Sequence, residues 1–279
     1  ALGDFDGDGD QEIVIGASVE DTGGSAAGAT YVVESPVSGN LNLSSALKFT
    51  GEEAGDQSGS ALAAGDLNGD GFDDLIIGAY MNNNKGAAYL FYGPLTAGKD
   101  LSEADAKFVT AGSSGRIGVS LSAAGDVNGD GIADLAIGNI GSESFIVFGD
   151  IKKYSGTFSL SANNAGVRFT GHIHFAIAIV GDVNGDGFDD VAVGNSQDNT
   201  AAMNAGVVHL FYGPISGSVS LSSANVHFTG EGMNDSLAYT GGSISGGDFD
   251  NDGFADILIG ASLKAANSGA AYLIYGAGQ

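Results

Sequence analysis

An all-β fold, built as a β-propeller of four-stranded blades, is what three features of the sequence predict. A nine-residue acidic motif followed by a short apolar run recurs five times, opening at Asp4, Asp66, Asp126, Asp182 and Asp248, at intervals of 62, 60, 56 and 66 residues. A repeat of that length signals an array or a propeller. Each repeat carries four short apolar segments bounded by turn residues, and four strands per repeat make a propeller blade. The 279 residues include 48 Gly, only 3 Pro and 43% hydrophobic side chains, a composition rich in turns yet able to fill a large core.

The elements follow one another as a single domain, 1–279, with blades at approximately 1–51, 52–111, 112–171, 172–230 and 231–279. The first blade opens on a leading strand reduced to Ala1-Leu2-Gly3, and its third strand, Ala29 to Val33, ends in Glu34-Ser35-Pro36. In the second blade, Ser60-Ala61-Leu62-Ala63-Ala64 leads into the acidic motif and Leu75-Ile76-Ile77-Gly78-Ala79 leads out of it. A short apolar run stopped by Gly reads as a buried strand. The third strand, Ala87-Ala88-Tyr89-Leu90-Phe91-Tyr92, ends at Gly93-Pro94 because Pro cannot donate to a ladder. The third blade joins its second and third strands by 139–143 alone. The fourth replaces the polar lead-in with His172-Ile173-His174-Phe175, then regains the pattern through Phe211-Tyr212-Gly213-Pro214. The fifth stops after Ala271-Tyr272-Leu273-Ile274-Tyr275, so the first and last blades are incomplete. Because Ala1 opens almost directly on a motif, the chain reads as a processed or excised piece.

Each motif runs acid, x, Asp or Asn, x, Asp, Gly, x, x, acid. Oxygens at positions 1, 3 and 5 converge when the chain between them curls tightly, and Gly at position 6 supplies the backbone freedom for the curl. The carbonyl of position 7 then points inward, and the acid at position 9 closes the shell with both oxygens. Six to eight oxygen ligands suit Ca²⁺, whereas Mg²⁺ holds to a strict octahedron. The candidate ligands are Asp4, Asp6, Asp8, Asp10 and Glu12 in the first loop, and Asp66, Asn68, Asp70, Phe72 and Asp74 in the second. They continue as Asp126, Asn128, Asp130, Ile132 and Asp134, then Asp182, Asn184, Asp186, Phe188 and Asp190, then Asp248, Asp250, Asp252, Phe254 and Asp256. Up to five structural Ca²⁺ ions are expected. An EF-hand would place Glu at position 12 and continue as a helix, but that position is Ile77, Ile137, Val193 or Ile259 in the four internal loops. A dockerin-like repeat would also continue as an amphipathic helix, and here a strand follows.

Lys and Arg number 9 against 34 Asp and Glu, a formal charge of -25, which argues against binding nucleic acid or an anionic membrane surface. Twenty of the 34 acids lie within the five loops. Five Ca²⁺ would bring the charge to about -15 and relieve the repulsion among them. With no Cys, metal could provide the crosslinks that extracellular proteins often take from disulfides. No apolar stretch is long enough to span a bilayer.

Lys48, Lys107, Arg168 and His227 precede Phe at one repeat position of the fourth strand, where a basic residue discourages edge-to-edge pairing. His172 and His174 have the spacing of a zinc pair, but there is no Cys and no third ligand is evident nearby. Asp56-Gln57-Ser58-Gly59-Ser60 matches the D-x-S-x-S pattern of a metal-dependent adhesion site, yet it leads into a short strand and is read as a polar turn. No nucleophile elbow, phosphate-binding loop or triad occurs. A catalytic dyad needs two acids in different environments, and these acids repeat one environment five times. The chain is therefore not expected to be an enzyme.

The repeated Gly-Asp-Val-Asn-Gly-Asp-Gly-x-x-Asp, with Gly-Ala-Ala-Tyr-Leu-Phe-Tyr-Gly following, resembles the FG-GAP repeat of integrin α-subunit propellers and their bacterial and fungal relatives. The resemblance covers essentially the whole chain. Ile77-Gly78-Ala79 and Ile259-Gly260-Ala261 match the family's Gly-Ala-Pro corner without its Pro. The Phe-Gly half is mostly lost: Ile117-Gly118 is nearest and Phe175-Ala176 lacks the Gly, while loop 1 ends in Glu12 where the family has Asp. The resemblance implies a propeller, usually of seven blades, so the five visible blades are either a piece of such a ring or a five-bladed closed ring. It also implies calcium in the hairpins between first and second strands, and a protein or carbohydrate ligand on the opposite face. That face would be built by 20–28, 81–86, 139–143, 196–206 and 262–269, joined by connections such as 52–59 and 231–240. The expected role is an extracellular or cell-surface adhesion or ligand-binding module. Alternatives are a lectin-like propeller, a subunit of a surface layer or filament using self-association or missing blades at open edges, and the accessory propeller of a secreted hydrolase.

Overall fold

Apolar residues on both faces of a short strand require a neighbour on each side, and the chain meets that demand by stacking blade against blade. The computed structural model describes residues 1–110, 115–123, 125–173, 176–264 and 268–278. The first blade comprises β1 (Leu2–Gly3), β2 (Glu12–Ala17), β3 (Ala29–Val33) and β4 (Leu47–Thr50); the second comprises β5 (Ser58–Gly65), β6 (Asp74–Ala79), β7 (Ala87–Phe91) and β8 (Ala106–Thr110). The third blade runs through β9 (Ile117–Ser122), β10 (Leu135–Asn139) and β11 (Gly141–Val147), and after β12 (Gly156–Leu160) closes with β13 (Val167–Ile173). The fourth has β14 (Ile177–Gly181), β15 (Asp190–Asn195), β16 (Val207–Phe211) and, after β17 (Gly217–Ser220), β18 (Val226–Thr229). The fifth has β19 (Ile244–Gly247), β20 (Asp256–Ala261) and β21 (Ala270–Ile274). The four strands of each of the first four blades pair antiparallel in sequence order, and the three described strands of the fifth do likewise.

The period-2 geometry of strands sorts the core. On β6 and β7, Leu75, Ile77, Tyr89 and Phe91 pack with Val14, Val32 and Phe49 of the first blade. Their alternates Ile76, Ala88 and Leu90 pack with Leu135, Ile137 and Phe145 of the third. Equivalent cores lie between the third and fourth blades and between the fourth and fifth. At the two ends one apolar face stays open: Leu2 and Ile15 on the first blade are 56% and 38% exposed, and Leu258 and Leu273 on the fifth are 37% and 41% exposed. The innermost strands come within backbone contact, which is where Gly is indispensable. A Cβ on Gly65 would lie 1.8 Å from the Ala123 carbonyl oxygen of the next blade.

The outer edges differ from the sequence expectation. Two blades gain a fifth strand, each from the excursion between the third and fourth strands of the following blade. Thus β12 pairs parallel with β8, and β17 pairs parallel with β13. A shorter form of the same device joins Thr50 of β4 to Asp100. An outermost strand otherwise presents a row of unpaired backbone groups. The basic residues of the fourth strands are therefore not edge blockers at these positions. Lys48 pairs with Glu20, Lys107 with Glu52 and Arg168 with Glu143. The alternation in Gly156-Thr157-Phe158-Ser159-Leu160 was the available signal for the added strand.

Candidate metal centres

The five acidic loops connect the first and second strands of each blade and share one backbone course. Position 6 adopts φ of +92°, +90°, +87°, +89° and +94° at Gly9, Gly71, Gly131, Gly187 and Gly253. Only Gly enters that region without strain. The curl is held by the carboxylate of position 1. In the third loop the Gly129 and Asp130 amides donate to Asp126 Oδ1 at 2.6 and 3.1 Å, and the Gly131 amide donates to Oδ2 at 2.7 Å. The same three bonds recur on Asp66 and Asp182. Position 5 receives the amide of position 7: Phe72 on Asp70, Ile132 on Asp130, Phe188 on Asp186 and Phe254 on Asp252.

Position 9 is the buried end of the motif. Asp74, Asp134, Asp190 and Asp256 are each 0% exposed and Glu12 is 3% exposed. One oxygen of each Asp accepts the amide of position 2, and the other accepts the amide of the Gly that follows the third strand. For Asp134 these donors are Val127 and Gly149, both at 2.9 Å. The acid expected to close the shell with both oxygens thus also ties the loop to the ladder. Burial pushes the Asp74 and Asp134 carboxyls up to about 7 and Asp190 up to about 6, against the opposing pull of those backbone donors. Burial also raises Glu12. A nearby cation stabilises the charged form of carboxylates whose burial outweighs their backbone donors in this way.

Asp4, Asp6 and Asp8 bring carboxylate oxygens within 4.8 Å of one another, and so do Asp248, Asp250 and Asp256. The first group does not include Asp10 or Glu12. The three middle loops carry Asn68, Asn128 and Asn184 at position 3, so an amide oxygen replaces one carboxylate there. Asn68 Oδ1 is buried with no hydrogen-bond partner, while its amide nitrogen donates to Asp74. A lone carbonyl-type oxygen beside carboxylates suits an oxygen-seeking cation. The residues present fit Ca²⁺ by donor chemistry.

Neighbouring loops are joined. The position-8 amides of Asp73, Ala133, Asp189 and Ala255 donate to the position-1 carbonyls of Asp4, Asp66, Asp126 and Asp182 in the preceding blade. Where position 8 is Asp, its side chain adds a return bond: the Asp4 amide donates to Asp73 Oδ2 at 2.9 Å and the Asp126 amide to Asp189 Oδ2 at 2.7 Å. Position 7 has a second role that its backbone carbonyl did not suggest. Phe72, Phe188 and Phe254 cover Gly7, Gly129 and Gly185 of the preceding loop, closely enough that a Cβ there would lie 2.3–2.6 Å from the ring.

At the opposite ends of the strands, the fourth-to-first connections bond to the second-to-third ones and to the third strand β7. The Asn82 amide donates to buried Asp56 at 2.7 Å, Tyr80 donates to Gln57 at 2.7 Å, and Tyr89 donates to Glu52 at 2.6 Å. Asp56 is thus a structural acid within a polar turn, its carboxyl raised by burial. His174 and Phe175, and residues 265–267 of the 262–269 connection, lie outside the described residues. No described helix is long and apolar enough to cross a membrane.

Repeated four-stranded blades, acidic hairpin loops on one face and inter-blade cores define an all-β propeller with five candidate cation loops. The FG-GAP repeat model matches residues 1–33, 58–91, 118–142, 176–211 and 240–274, more than half of the chain, and the chain belongs to that family. Integrin alpha-PS2 of Drosophila melanogaster is 34% identical over 149 residues, 49% of this chain and 10% of that protein. Integrin alpha pat-2 of Caenorhabditis briggsae is 30% identical over 230 residues, 73% of this chain and 18% of that protein. Integrin alpha-4 of Xenopus laevis is 29% identical over 168 residues, 55% of this chain and 16% of that protein. The chain is therefore an integrin-like propeller module that spans less than a fifth of these relatives' length.

Proposed function

We propose that this propeller is an extracellular or cell-surface adhesion module without catalysis of its own, stabilised by structural Ca²⁺ in its five loops. The observation that carries the calcium reading is the buried position-9 carboxylate, repeated in every blade at the end of a loop whose positions 1, 3 and 5 are Asp or Asn. Binding to the folded form alone is folding energy, so calcium acts here as a set of crosslinks between first and second strands. The matched integrin α relatives support the adhesion role. Recognition belongs to the face opposite the loops, where 20–28, 81–86, 196–206 and 262–269 vary in length and composition while the loops do not; the expected connection 139–143 is reduced to Ile140, because Asn139 ends β10 and Gly141 opens β11. Variable connections on a fixed scaffold are where binding residues concentrate. The partner class is a protein ligand.

A second reading concerns the ends of the stack. Leu2 and Ile15 at one end and Leu258, Leu273 and Tyr275 at the other leave apolar surface exposed. That exposure supports packing of further blades or of a second copy against these faces.

Thermal unfolding with excess calcium and with a chelator, alongside metal counting by native mass spectrometry, tests the main reading. Four or five ions per chain and a midpoint raised by tens of degrees are expected: each site filled at a hundredfold excess over its Kd contributes about 2.7 kcal/mol. An unchanged midpoint with no bound metal would refute it.

A further inference from the structure

Three of the joints between blades contain the same set of four apolar side chains. Between the first and second blades the set is Phe49, Ile77, Phe91 and Leu101. Between the second and third it is Phe108, Ile137, Val147 and Leu160, and between the third and fourth it is Phe169, Val193, Phe211 and Leu221. The Phe stands on the fourth strand of the earlier blade, and the next two residues stand on the second and third strands of the later one. The Leu comes from the excursion that follows the third strand of the later blade. Leu101, Leu160 and Leu221 are 1%, 3% and 5% exposed, so each is a plug driven into the joint from outside.

At the joint between the fourth and fifth blades, Phe228, Ile259 and Ile274 repeat the first three places. Where the Leu belongs there is a cavity of about 380 Å³, lined by these three residues together with Thr229 and Leu237. Phe228 is accordingly half-buried, whereas its three counterparts are fully buried. The backbone beside the cavity is open too. Among the described residues β18 pairs with β16 on one side and has no strand on the other, whereas β8 and β13 carry β12 and β17 there. Added strand and plug form one unit: Gly156-Thr157-Phe158-Ser159-Leu160 and Gly217-Ser218-Val219-Ser220-Leu221 share a pattern and a register, with Phe158 opposite Phe108 and Val219 opposite Phe169. Leu221 then lies over Gly171, where a Cβ would come within 3.0 Å of it, and the counterpart of Gly171 after β18 is Gly230.

We propose that the outer edge of β18 and the adjoining cavity bind an extended segment of another polypeptide, of the pattern Gly-(Ser/Thr)-apolar-Ser-Leu, running parallel to β18 with its leucine in the cavity. An open strand edge supplies main-chain hydrogen bonds, and a pocket for an alternate side chain supplies selectivity. The chain itself defines the ligand, because it seats two such segments on equivalent edges. In their register the apolar residue of the ligand falls opposite Phe228 and its leucine opposite Gly230. The formal charge of -25, with Glu231 at the cavity, selects against an acidic segment. Gly39-Asn40-Leu41-Asn42-Leu43 of the first blade has a similar pattern, and Leu41 is 54% exposed. Each excursion, however, seats on the fourth strand of the preceding blade. Carried rigidly to β18, residues 39–43 of a second copy would bring that copy's first blade onto this chain's fifth. The occupant is therefore a separate extended segment. This site stands independently of the calcium reading, and it adds contact through a sheet edge to the loop contacts proposed for the rim.

The test uses the full chain in excess calcium and, as probe, the acetylated peptide Gly-Ser-Val-Ser-Leu-Ser-Ser-Ala, identical to residues 217–224. Titration followed by NMR, and by anisotropy of a labelled peptide, should show saturable one-to-one binding that shifts the amides of 226–229 and slows their hydrogen exchange. Leu221→Ala within the peptide should weaken binding by at least about tenfold, because most of a buried leucine side chain is lost. Thr229→Trp in the chain fills the cavity from an exposed lining position. It should abolish binding and keep the calcium-bound melting midpoint, which separates a filled site from a lost fold. Absence of saturable binding, indifference to Leu221→Ala, or binding that survives Thr229→Trp would each overturn the site. Self-association of the chain that the peptide reverses would give the place to a second copy and overturn the proposed partner.

Discussion

Removing calcium should invert the pH dependence of stability. Asp74 and Asp134 are buried with their carboxyls pushed up to about 7, and Asp190 up to about 6, from an ordinary value of 3.8. In the metal-free protein these groups bind protons in the folded state that the unfolded chain has already lost. Their stabilising contribution is complete below the unfolded value and is lost as pH rises through the folded one. Between pH 5 and pH 8 the loss amounts to roughly 3 kcal/mol for each of Asp74 and Asp134 and roughly 1 kcal/mol for Asp190, about 7 kcal/mol together. Mutual repulsion in a chain of formal charge -25 acts in the same direction. With calcium bound, the same carboxylates are held ionised, and acidification must displace the cation, so stability falls as pH falls.

Urea unfolding at a series of pH values, in a chelator and in excess calcium, reads both limbs. The expected result is a chelated protein whose stability rises on going from pH 8 to pH 5 while the calcium-loaded protein's falls. Two parallel curves would refute the reasoning, because they would mean that the buried acids do not carry the metal-linked charge. A calcium-loaded curve that rises on acidification would refute it equally.

Two substitutions probe how the elements are coupled. Asp189→Ala removes the side chain that accepts the Asp126 amide at 2.7 Å from the neighbouring loop, and should cost about 1–3 kcal/mol in the calcium-free protein while weakening calcium at the third loop as well as the fourth; isothermal titration against the parent protein shows whether both sites respond. Phe169→Ala empties a fully buried ring packed 4.9 Å from Phe211 between the third and fourth blades, and should lower unfolding stability by about 3–5 kcal/mol with calcium stoichiometry unchanged, which denaturant unfolding and metal counting measure together.

The division between what could and could not be read in the sequence follows the range of the interactions. Local chemistry was legible. Gly at position 6, the order of oxygens before it and the apolar run behind it act within a dozen residues, so loop and strand assignments such as Leu75-Ile76-Ile77 required nothing beyond their own neighbourhood. Interactions between blades were not legible in the same way. Nothing in the composition of 156–160 says that it will pair with β8 of the preceding blade, because its own blade is already complete. Phe at position 7 was read for its carbonyl, since the Gly that its ring covers lies some sixty residues earlier in the chain.

The histidines give the clearest instance of this limit. Read along the chain, His172 pairs by spacing with His174 and lacks a third ligand. Read across the strands, it is His209 and His227, 18 positions apart, that β-sheet register sets side by side. A repeat protein stores its sites in equivalent positions more than in adjacent ones, because each blade contributes one strand edge to the space between itself and the next. A substitution at one repeat position is therefore informative only beside the residues at that position in the other blades. Lys107 and His227 look unrelated as single residues. As occupants of one place, opposite Tyr89 and His209, they mark the exchange of a cation held over an aromatic ring for two imidazoles that meet through their δ nitrogens.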